Sequence, residues 1–285
     1  MNTKSEPSLH SVNEEIIEYL ITKEETLLAR LYIPVGSGPF PAVVSIHGGA
    51  WTTNDRNTNE VLDRKIASSG VVVAALDFRL APKYSYPSSI ADINFGIRWL
   101  KRNAEKFKTL PNWIGAIGTS SGGHQVLLNL INFDDPTFTS ISLDELNQID
   151  AQLAFVVACW PISNPYARYQ MVVAKNNERL ITAHNDFFKT EEAMQKANPQ
   201  YIVEKSEHLR TSPLLIIQGT KDDNVTPTMA NDFTIAYKSK GGKVSLQLYE
   251  NESHQFIIKN PNSPASILAT QEIINFILDR GKSIN

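Results

Sequence analysis

The feature that most constrains this chain is a serine flanked by glycines, between a strand-like run and a helix-like run. Residues 118–122 read GTSSG with Ser120 at the centre, apolar residues precede them at 113–117, and a helical apolar run follows at 126–131. A serine on a sharp strand-to-helix turn keeps its hydroxyl exposed, and only small neighbours let that turn close. Ser120 is therefore predicted to be a nucleophile. The alternative is a Gly/Ser-rich turn that matches by chance, and the flanking strand and helix weigh against it.

A serine hydroxyl is a weak nucleophile, so it needs a base, and the base needs an acid to orient it. In this architecture they follow in the order serine, acid, histidine. Asp222 lies in the loop after an apolar strand predicted at 213–219, and His254 follows an alternating strand predicted at 244–250. Both loops leave the carboxyl end of a strand, where open α/β sheets bind ligands. We predict Asp222 and His254 as the catalytic partners of Ser120, with Asp223 as a competing acid.

A second glycine loop follows a strand predicted at 41–47, and residues 47–51 read HGGAW. Glycines there can turn backbone N–H groups into a cavity without obstruction by side chains. The N–H groups of Gly48 and Gly49, with Ala50 as a replacement for one of them, are predicted to form an oxyanion hole together with the amide of Ser121. His47 is predicted to brace this loop through hydrogen bonds and not to be the base.

The motifs HGGAW at 47–51, DFRLAP at 77–82 and GTSSG at 118–122 together resemble the α/β-hydrolase superfamily. More narrowly, they resemble the branch of hormone-sensitive-lipase-like carboxylesterases and kynurenine-formamidase-like esterases. The resemblance covers about residues 14 to 280. It implies the α/β-hydrolase fold, and the spacing of Asp222 after Gly219 matches that of the family's acid. The chain departs from the lipase-like pattern at Ala50, where a third glycine is usual, and about a dozen residues precede its first predicted strand, where the lipase-like enzymes usually carry a long helical cap.

Periodicity along the chain predicts an α/β fold built on eight strands, placed at 14–21, 26–33, 41–47, 71–77, 112–118, 153–159, 213–219 and 244–250. The first two alternate and are expected to form an antiparallel edge hairpin. The middle ones are continuous apolar runs, as in parallel strands covered on both faces. Helical spacing between them predicts a mostly parallel, doubly wound sheet. We expect a single domain over residues 1–285.

One segment does not fit this alternation. More than fifty residues separate the strands that end near 159 and begin near 213, where a crossover needs about a dozen. We predict that residues 160–210 form a helical lid insertion above Ser120, with helices at about 168–180 and 190–197. Trp160 and Tyr166 of this segment, together with Trp51, are predicted to bind substrate as an apolar wall. Packing within the core of the lid is the alternative for each of them.

Composition excludes several classes of function. The formal charge of −3 leaves no basic face for nucleic acid, and no apolar stretch approaches the roughly 18 residues of a membrane span. Cys159 is the only cysteine, and no two histidines stand at the i, i+4 spacing of a zinc site. Residues 1–10 are polar and are not expected to form a signal peptide. We therefore expect a cytoplasmic protein that needs no cofactor or metal and binds neither nucleic acid nor membrane; a homodimer is left open.

Three functions are consistent with these residues. The first is a serine hydrolase that cleaves small to medium, partly apolar carboxylic esters through an acyl-enzyme on Ser120. The second is an amide-directed hydrolase that resembles arylformamidases and uses the same residues. The third is a non-catalytic receptor for a small molecule, and the poised Ser120, Asp222 and His254 argue against it because a receptor has no use for a base.

Overall fold

The computed structural model describes residues 9–143 and 148–282; the predictions made for residues 1–8 lie outside these ranges. Eight strands are found at the eight predicted places. They are β1 (Val12–Ile21), β2 (Thr26–Pro34), β3 (Ala42–Ile46), β4 (Val72–Leu76), β5 (Ile114–Thr119), β6 (Val156–Cys159), β7 (Leu214–Gly219) and β8 (Val244–Tyr249).

Helices fill most of the intervals between the strands, and a short 3-10 turn covers Pro111–Trp113. The helices are α1 (Glu60–Ser68), α2 (Ser88–Arg102), α3 (Ser121–Ile131), α4 (Pro165–Ala174), α5 (Glu178–Phe188), α6 (Glu191–Lys196), α7 (Pro199–Lys205), α8 (Pro227–Ser239), α9 (Phe256–Lys259) and α10 (Pro264–Lys282). Among the described residues, no helix combines the length and the apolar character needed to cross a membrane.

The strands form one sheet in the order β1-β2-β4-β3-β5-β6-β7-β8. β1 pairs antiparallel with β2, and β2 pairs antiparallel with β4; the other neighbours are parallel. The predicted edge hairpin and parallel centre are confirmed. β3 and β4 consist wholly of buried residues because helices cover both of their faces, whereas β1 at the edge exposes most of its length.

Alternate residues of each central strand enter opposite hydrophobic layers. In β4, Val72 and Leu76 pack toward α2 and α3, while Val73 and Ala75 pack toward α1 and α10. This two-sided burial follows from the two-residue repeat of a strand. It fixes the sheet rigidly between helices, so the carboxyl ends of its parallel strands form a stable edge on which side chains can be positioned.

Four helices, α4 to α7, occupy the interval between β6 and β7, where the sequence predicted two. The predicted helix at 168–180 is divided, because Asn177 accepts a hydrogen bond from Leu180 N and begins a new helix there. Each of the four helices has such a side-chain cap, supplied by Asn164, Asn177, Thr190 and Asn198. A cap satisfies an N–H group at a helix start and thereby favours short, separately oriented helices.

Candidate active site

Ser120 lies between the last residue of β5 and the first residue of α3, in a backbone conformation that side chains rarely adopt. Its φ angle is +54°, and for a residue other than glycine this is a strained region. Three backbone hydrogen bonds hold it: Ser120 N donates to Cys159 O at 2.9 Å, and Ser120 O accepts from His124 N at 3.1 Å and from Ile162 N at 3.3 Å. The surrounding strands and helix therefore impose the sharp turn that raises the serine hydroxyl above the sheet.

Gly122 allows this turn to pack against the end of β3. A Cβ atom at this position would lie 2.2 Å from Ile46 O and 2.5 Å from His47 O, both backbone atoms that cannot move aside. The close approach brings the first turn of α3 beside the loop that follows β3. The glycine of the motif is thus required by backbone contact, and it joins the two loops on which the predicted site depends.

The structure brings Ser120, His254 and Asp222 into one hydrogen-bonded chain. Ser120 Oγ is 3.1 Å from His254 Nε2, and His254 Nδ1 is 2.8 Å from Asp222 Oδ2. All three side chains are buried, with exposed fractions of 5, 8 and 3% for the serine, histidine and aspartate. An ionised carboxylate only accepts hydrogen bonds, so His254 donates from Nδ1 and keeps Nε2 free to accept the serine proton.

Asp222 is held by donors on both carboxylate oxygens. Oδ1 accepts from Asn224 N at 3.0 Å and Val225 N at 2.8 Å, while Oδ2 accepts from Gln218 Nε2 at 3.1 Å as well as from His254. Four hydrogen bonds to one carboxylate fix its orientation. The neighbouring Asp223 is exposed and lines the adjoining cavity. The geometry therefore sets Asp222, and not Asp223, against the imidazole.

The glycine loop after β3 lies directly against the serine. A Cβ atom on Gly48 would be 3.1 Å from Ser120 Cβ, and Trp51 N donates to Ser121 Oγ at 3.3 Å, which ties this loop to α3. His47 donates from Nδ1 to Gly48 O at 2.7 Å, as predicted for a bracing residue. Its ring stacks on Phe78 with centroids 4.3 Å apart, and burial lowers its pKa.

The N–H groups predicted to receive an oxyanion are without acceptors. Within residues 9–143 and 148–282, neither Gly49 N nor Ala50 N donates a hydrogen bond to the chain. Ser121 is the first residue of α3, where a backbone N–H has no helical partner. Gly49 and Ala50 both line the cavity above Ser120. Donors that are preorganised and unpaired beside a nucleophile are what a developing negative charge requires.

A cavity of about 370 Å³ opens above Ser120 and His254. Its walls come from the loop after β3, from α4 and α5, from the loop that carries Asp223 and Asn224, and from α9. Ala50 and Leu180 are its apolar part. Most of the rest is polar, and three cationic side chains line it: Arg168, Arg179 and Lys259. Sequence reasoning missed all three, because they lie on separate helices and no local motif joins them.

The three aromatic residues predicted as a substrate wall are placed elsewhere. Trp51 is 1% exposed, donates from Nε1 to His124 Nδ1 at 3.1 Å and stacks on Phe187 at 5.1 Å. Trp160 is fully buried and packs edge-on against His254, with ring centroids 6.2 Å apart. Tyr166 borders a separate surface depression beside α4. Residue type alone suggested an apolar wall, but the packing turns both tryptophans away from the cavity.

Two buried histidines, one on α3 and one on α5, pack edge-on against Trp51. His124 Nδ1 accepts from Trp51, so its Nε2 donates to Ala197 O at 2.7 Å; burial lowers its pKa to about 4. His184 donates from Nδ1 to Leu180 O at 2.7 Å, and burial lowers its pKa to about 3. Both are therefore neutral at pH 7 and act as fixed hydrogen-bonding groups. In the described part of the chain, no cluster of His, Cys, Asp and Glu side chains has the arrangement of a metal site.

Known proteins share this sequence pattern and fold. The chain is 26% identical over 232 residues to isoprenylcysteine alpha-carbonyl methylesterase ICME of Arabidopsis thaliana, covering 79% of this chain and 52% of that protein. It is 27% identical over 205 residues to esterase LipC of Mycobacterium tuberculosis, covering 68% of this chain and 47% of that one. The chain thus spans about half the length of the curated relatives it matches.

Among solved structures, esterase B from Lactobacillus rhamnosis superimposes with a TM-score of 0.79, at 21% identity, over 95% of this chain and 88% of that one. This likeness shows a shared α/β-hydrolase fold. The model of the BD-FAE family matches residues 30–236, which include the glycine loop, Ser120 and Asp222. That match covers well over half of the sequence, and the chain therefore belongs to the BD-FAE family, within the α/β-hydrolase superfamily.

Proposed function

We propose that this chain is a carboxylic-ester hydrolase that acts through an acyl-enzyme on Ser120. The observation that carries the proposal is the chain of hydrogen bonds from Ser120 Oγ through His254 to Asp222, at 3.1 and 2.8 Å. A nucleophile, a base and an orienting acid in this geometry are the requirements of acyl transfer. The names of the relatives, a methylesterase and an esterase, support an ester as substrate over an amide.

Acylation begins when His254 Nε2 takes the proton of Ser120 Oγ as the oxygen attacks the ester carbonyl. The carbonyl oxygen becomes an oxyanion, for which the N–H groups of Gly48, Gly49 or Ala50, together with that of Ser121, are the proposed donors. Asp222 stabilises the imidazolium without taking its proton. His254 then protonates the leaving alcohol, and the acyl group stays on Ser120. The N-terminus of α3 adds positive potential at the same place.

Deacylation repeats these steps with water as the nucleophile. His254 takes a proton from water, the hydroxide attacks the acyl carbon, and Ser120 leaves with the proton that the imidazole returns. Each step uses only groups of this chain, the ester and water. The cavity of about 370 Å³ is small, which supports soluble, short-acyl substrates over long-chain lipids.

A substrate panel tests the proposed reaction. Aryl esters from acetyl to decanoyl are compared with N-formyl and N-acetyl anilides of the same aryl group. We expect ester hydrolysis to dominate, with kcat/KM rising by up to about fourfold per methylene until the cavity is filled, since each buried methylene contributes about 0.8 kcal/mol. Faster hydrolysis of the formanilide would replace the ester proposal with the amide-directed one. Binding of ester without any turnover would instead favour a receptor.

Replacing Gly49 by alanine tests the proposed oxyanion hole. Gly49 has a φ angle of +122°, and an added Cβ would lie 2.2 Å from Thr53 O, so the loop must shift and carry its N–H groups with it. Loss of one such donor costs on the order of 10²-fold in kcat, and we expect a fall of that size with KM little changed. The fall is measured with an aryl acetate.

Gly241→Ala is the matched control. Gly241 also has a positive φ angle, of +81°, but nothing lies within 4 Å of the added Cβ and the residue is remote from Ser120. This variant should lose stability on the order of 1 kcal/mol and keep wild-type kcat. If Gly49→Ala behaves in the same way as Gly241→Ala, the loop does not supply an oxyanion donor.

Residues 160–210 are proposed to act as the lid of a single domain over residues 1–285. Arg168, Arg179 and Leu180, from α4 and α5, line the cavity that contains Ser120, which supports a covering role. The segment is anchored by its own apolar cluster, in which Phe187 stacks on Trp51 with ring planes 5° apart. Such anchoring favours a lid that is a fixed wall of the cavity over one that must close on each substrate.

A further inference from the structure

The residues that line the cavity carry more positive charge than a site for neutral esters needs. Arg168, Arg179 and Lys259 line it from α4, α5 and α9, and the carboxylate of Asp223 is the one anionic side chain in the same lining. Neither Arg179 nor Lys259 forms an ion pair with any carboxylate in the ranges 9–143 and 148–282. The positive charges of Arg179 and Lys259 therefore face the cavity, and no carboxylate of the described residues pairs with them.

Arg168 adds a third cation, and its charge is buried away from water. It is 1% exposed, and it donates from Nε to Asn224 O at 3.1 Å and from Nη2 to Asn224 Oδ1, both neutral acceptors. Its Nη1 is 3.4 Å from His184 Nε2, which is neutral as well. Two of its five N–H donors remain without a partner in these bonds. A buried cation held only by neutral acceptors is costly unless an anion is supplied.

The electrostatic neighbours of Arg168 lead to the same conclusion. Burial and, to a smaller extent, the charge of Arg179 lower the pKa of Arg168, Asp222 partly offsets them, and the net result is a pKa of about 10. Arg168 is thus still charged at neutral pH, beside a second guanidinium. Two adjacent cations on the rim of a small cavity raise the local concentration of anions and favour their entry.

We propose that the substrate of Ser120 carries a carboxylate or a comparable anionic group, which Arg179 and Lys259 bind beside the reacting ester while Arg168 supplies fixed positive potential. This inference rests on the proposed ester hydrolysis and names its substrate class. The anionic group stays intact during the reaction, because only the ester bond to the acyl carbon is broken. Arg179 and Lys259 are thereby assigned to substrate specificity.

The test compares pairs of esters that differ only in charge. One pair places the charge on the acyl side: the aryl monoester of adipic acid and its neutral counterpart, in which the free carboxylate is replaced by a carboxamide. The other places it on the alcohol side: 4-acetoxybenzoate and its neutral 4-acetoxybenzamide counterpart. In at least one pair, we expect kcat/KM to favour the anionic ester by on the order of tenfold at low salt. That preference should shrink as salt rises toward about 0.5 M, because screening weakens the attraction.

Variants that each remove one charge test which residues cause the preference for anionic esters. Arg179→Gln and Lys259→Gln should each lower the anionic-to-neutral ratio of kcat/KM by about tenfold or to unity. Lys238→Gln is the matched control, since this exposed lysine on α8 lies outside the cavity, and its ratio should equal that of the wild type. A substrate carrying trimethylammonium at the position of the carboxylate should be the poorest of the series.

The outcomes separate this inference from the function on which it rests. Neutral esters cleaved in a Ser120-dependent manner, with ratios near one in both pairs, overturn the anionic substrate and leave the esterase in place. An anionic preference that survives in both Arg179→Gln and Lys259→Gln overturns the assigned residues. If neither neutral nor anionic esters are cleaved in a Ser120-dependent manner, the proposed function fails and the substrate class fails with it.

Discussion

Replacing Ser120 by alanine is expected to lower kcat/KM for every ester that the wild type cleaves, by on the order of 10⁴-fold or more. The substitution removes the only hydroxyl within hydrogen-bonding distance of His254 Nε2, at 3.1 Å, among the described residues. Binding contacts and oxyanion donors remain, so residual catalysis above the rate in water should persist. The rate is measured with an aryl acetate, and folding is checked by thermal unfolding and circular dichroism.

Ser253→Ala provides a matched loss of a hydroxyl. Ser253 is exposed and precedes His254 in the same loop, and it forms no hydrogen bond with residues 9–143 and 148–282. We expect wild-type activity from this variant. Turnover by Ser120→Ala within tenfold of the wild type, after removal of contaminating esterases, would exclude Ser120 as the nucleophile. A second check is mass spectrometry with an aryl phosphonate, which should add one phosphonyl group to the wild type and none to Ser120→Ala.

Replacing Asp222 by asparagine should cost nearly as much, on the order of 10⁴-fold in kcat, because it reverses the tautomer of His254. Asn224 N and Val225 N both donate to Oδ1 of Asp222, at 3.0 and 2.8 Å. These two donors will hold the amide oxygen of the new side chain at the Oδ1 position. Its NH₂ group must then face His254, whose Nδ1 becomes an acceptor and whose Nε2 carries a proton. A protonated Nε2 cannot accept the proton of Ser120.

Asp223→Asn is the control for this prediction, since it makes the same chemical change at the adjacent position. Asp223 is exposed and is not hydrogen-bonded to His254, so its loss should change kcat by less than about tenfold. Nuclear magnetic resonance of the imidazole nitrogens gives a readout that a merely structural defect would not produce: the protonated nitrogen should move from Nδ1 to Nε2 in Asp222→Asn alone. Equal losses in both variants, with no change of tautomer, would contradict the assigned role of Asp222.

The places of the strands along the chain and the turn at Ser120 could be predicted because they depend on local patterns. Continuous apolar runs such as β4 are recognisable from a few residues, since a strand covered on both faces has no polar side. The turn at Ser120 depends on glycines packed against backbone: at Gly122 a Cβ atom would lie 2.2 Å from Ile46 O, so a residue with a side chain does not fit there. The helices between β6 and β7 were harder to predict, because polar caps such as Asn177, and not apolar periodicity, determine where they end.

The sequence by itself determined which residues could perform the chemistry and at which edge of the sheet they would meet. Ser120 and His254 are 134 residues apart, yet each follows a strand, and parallel strands bring their carboxyl ends together. The tertiary structure alone decided what surrounds them. Trp51 and Trp160 are buried because their backbone positions point them into the core, while Arg168, Arg179 and Lys259 meet only after three helices have packed. Packing of this kind sets the direction of a side chain, and a local sequence pattern does not contain that information. The three cations that line the cavity could therefore be recognised only in the folded chain.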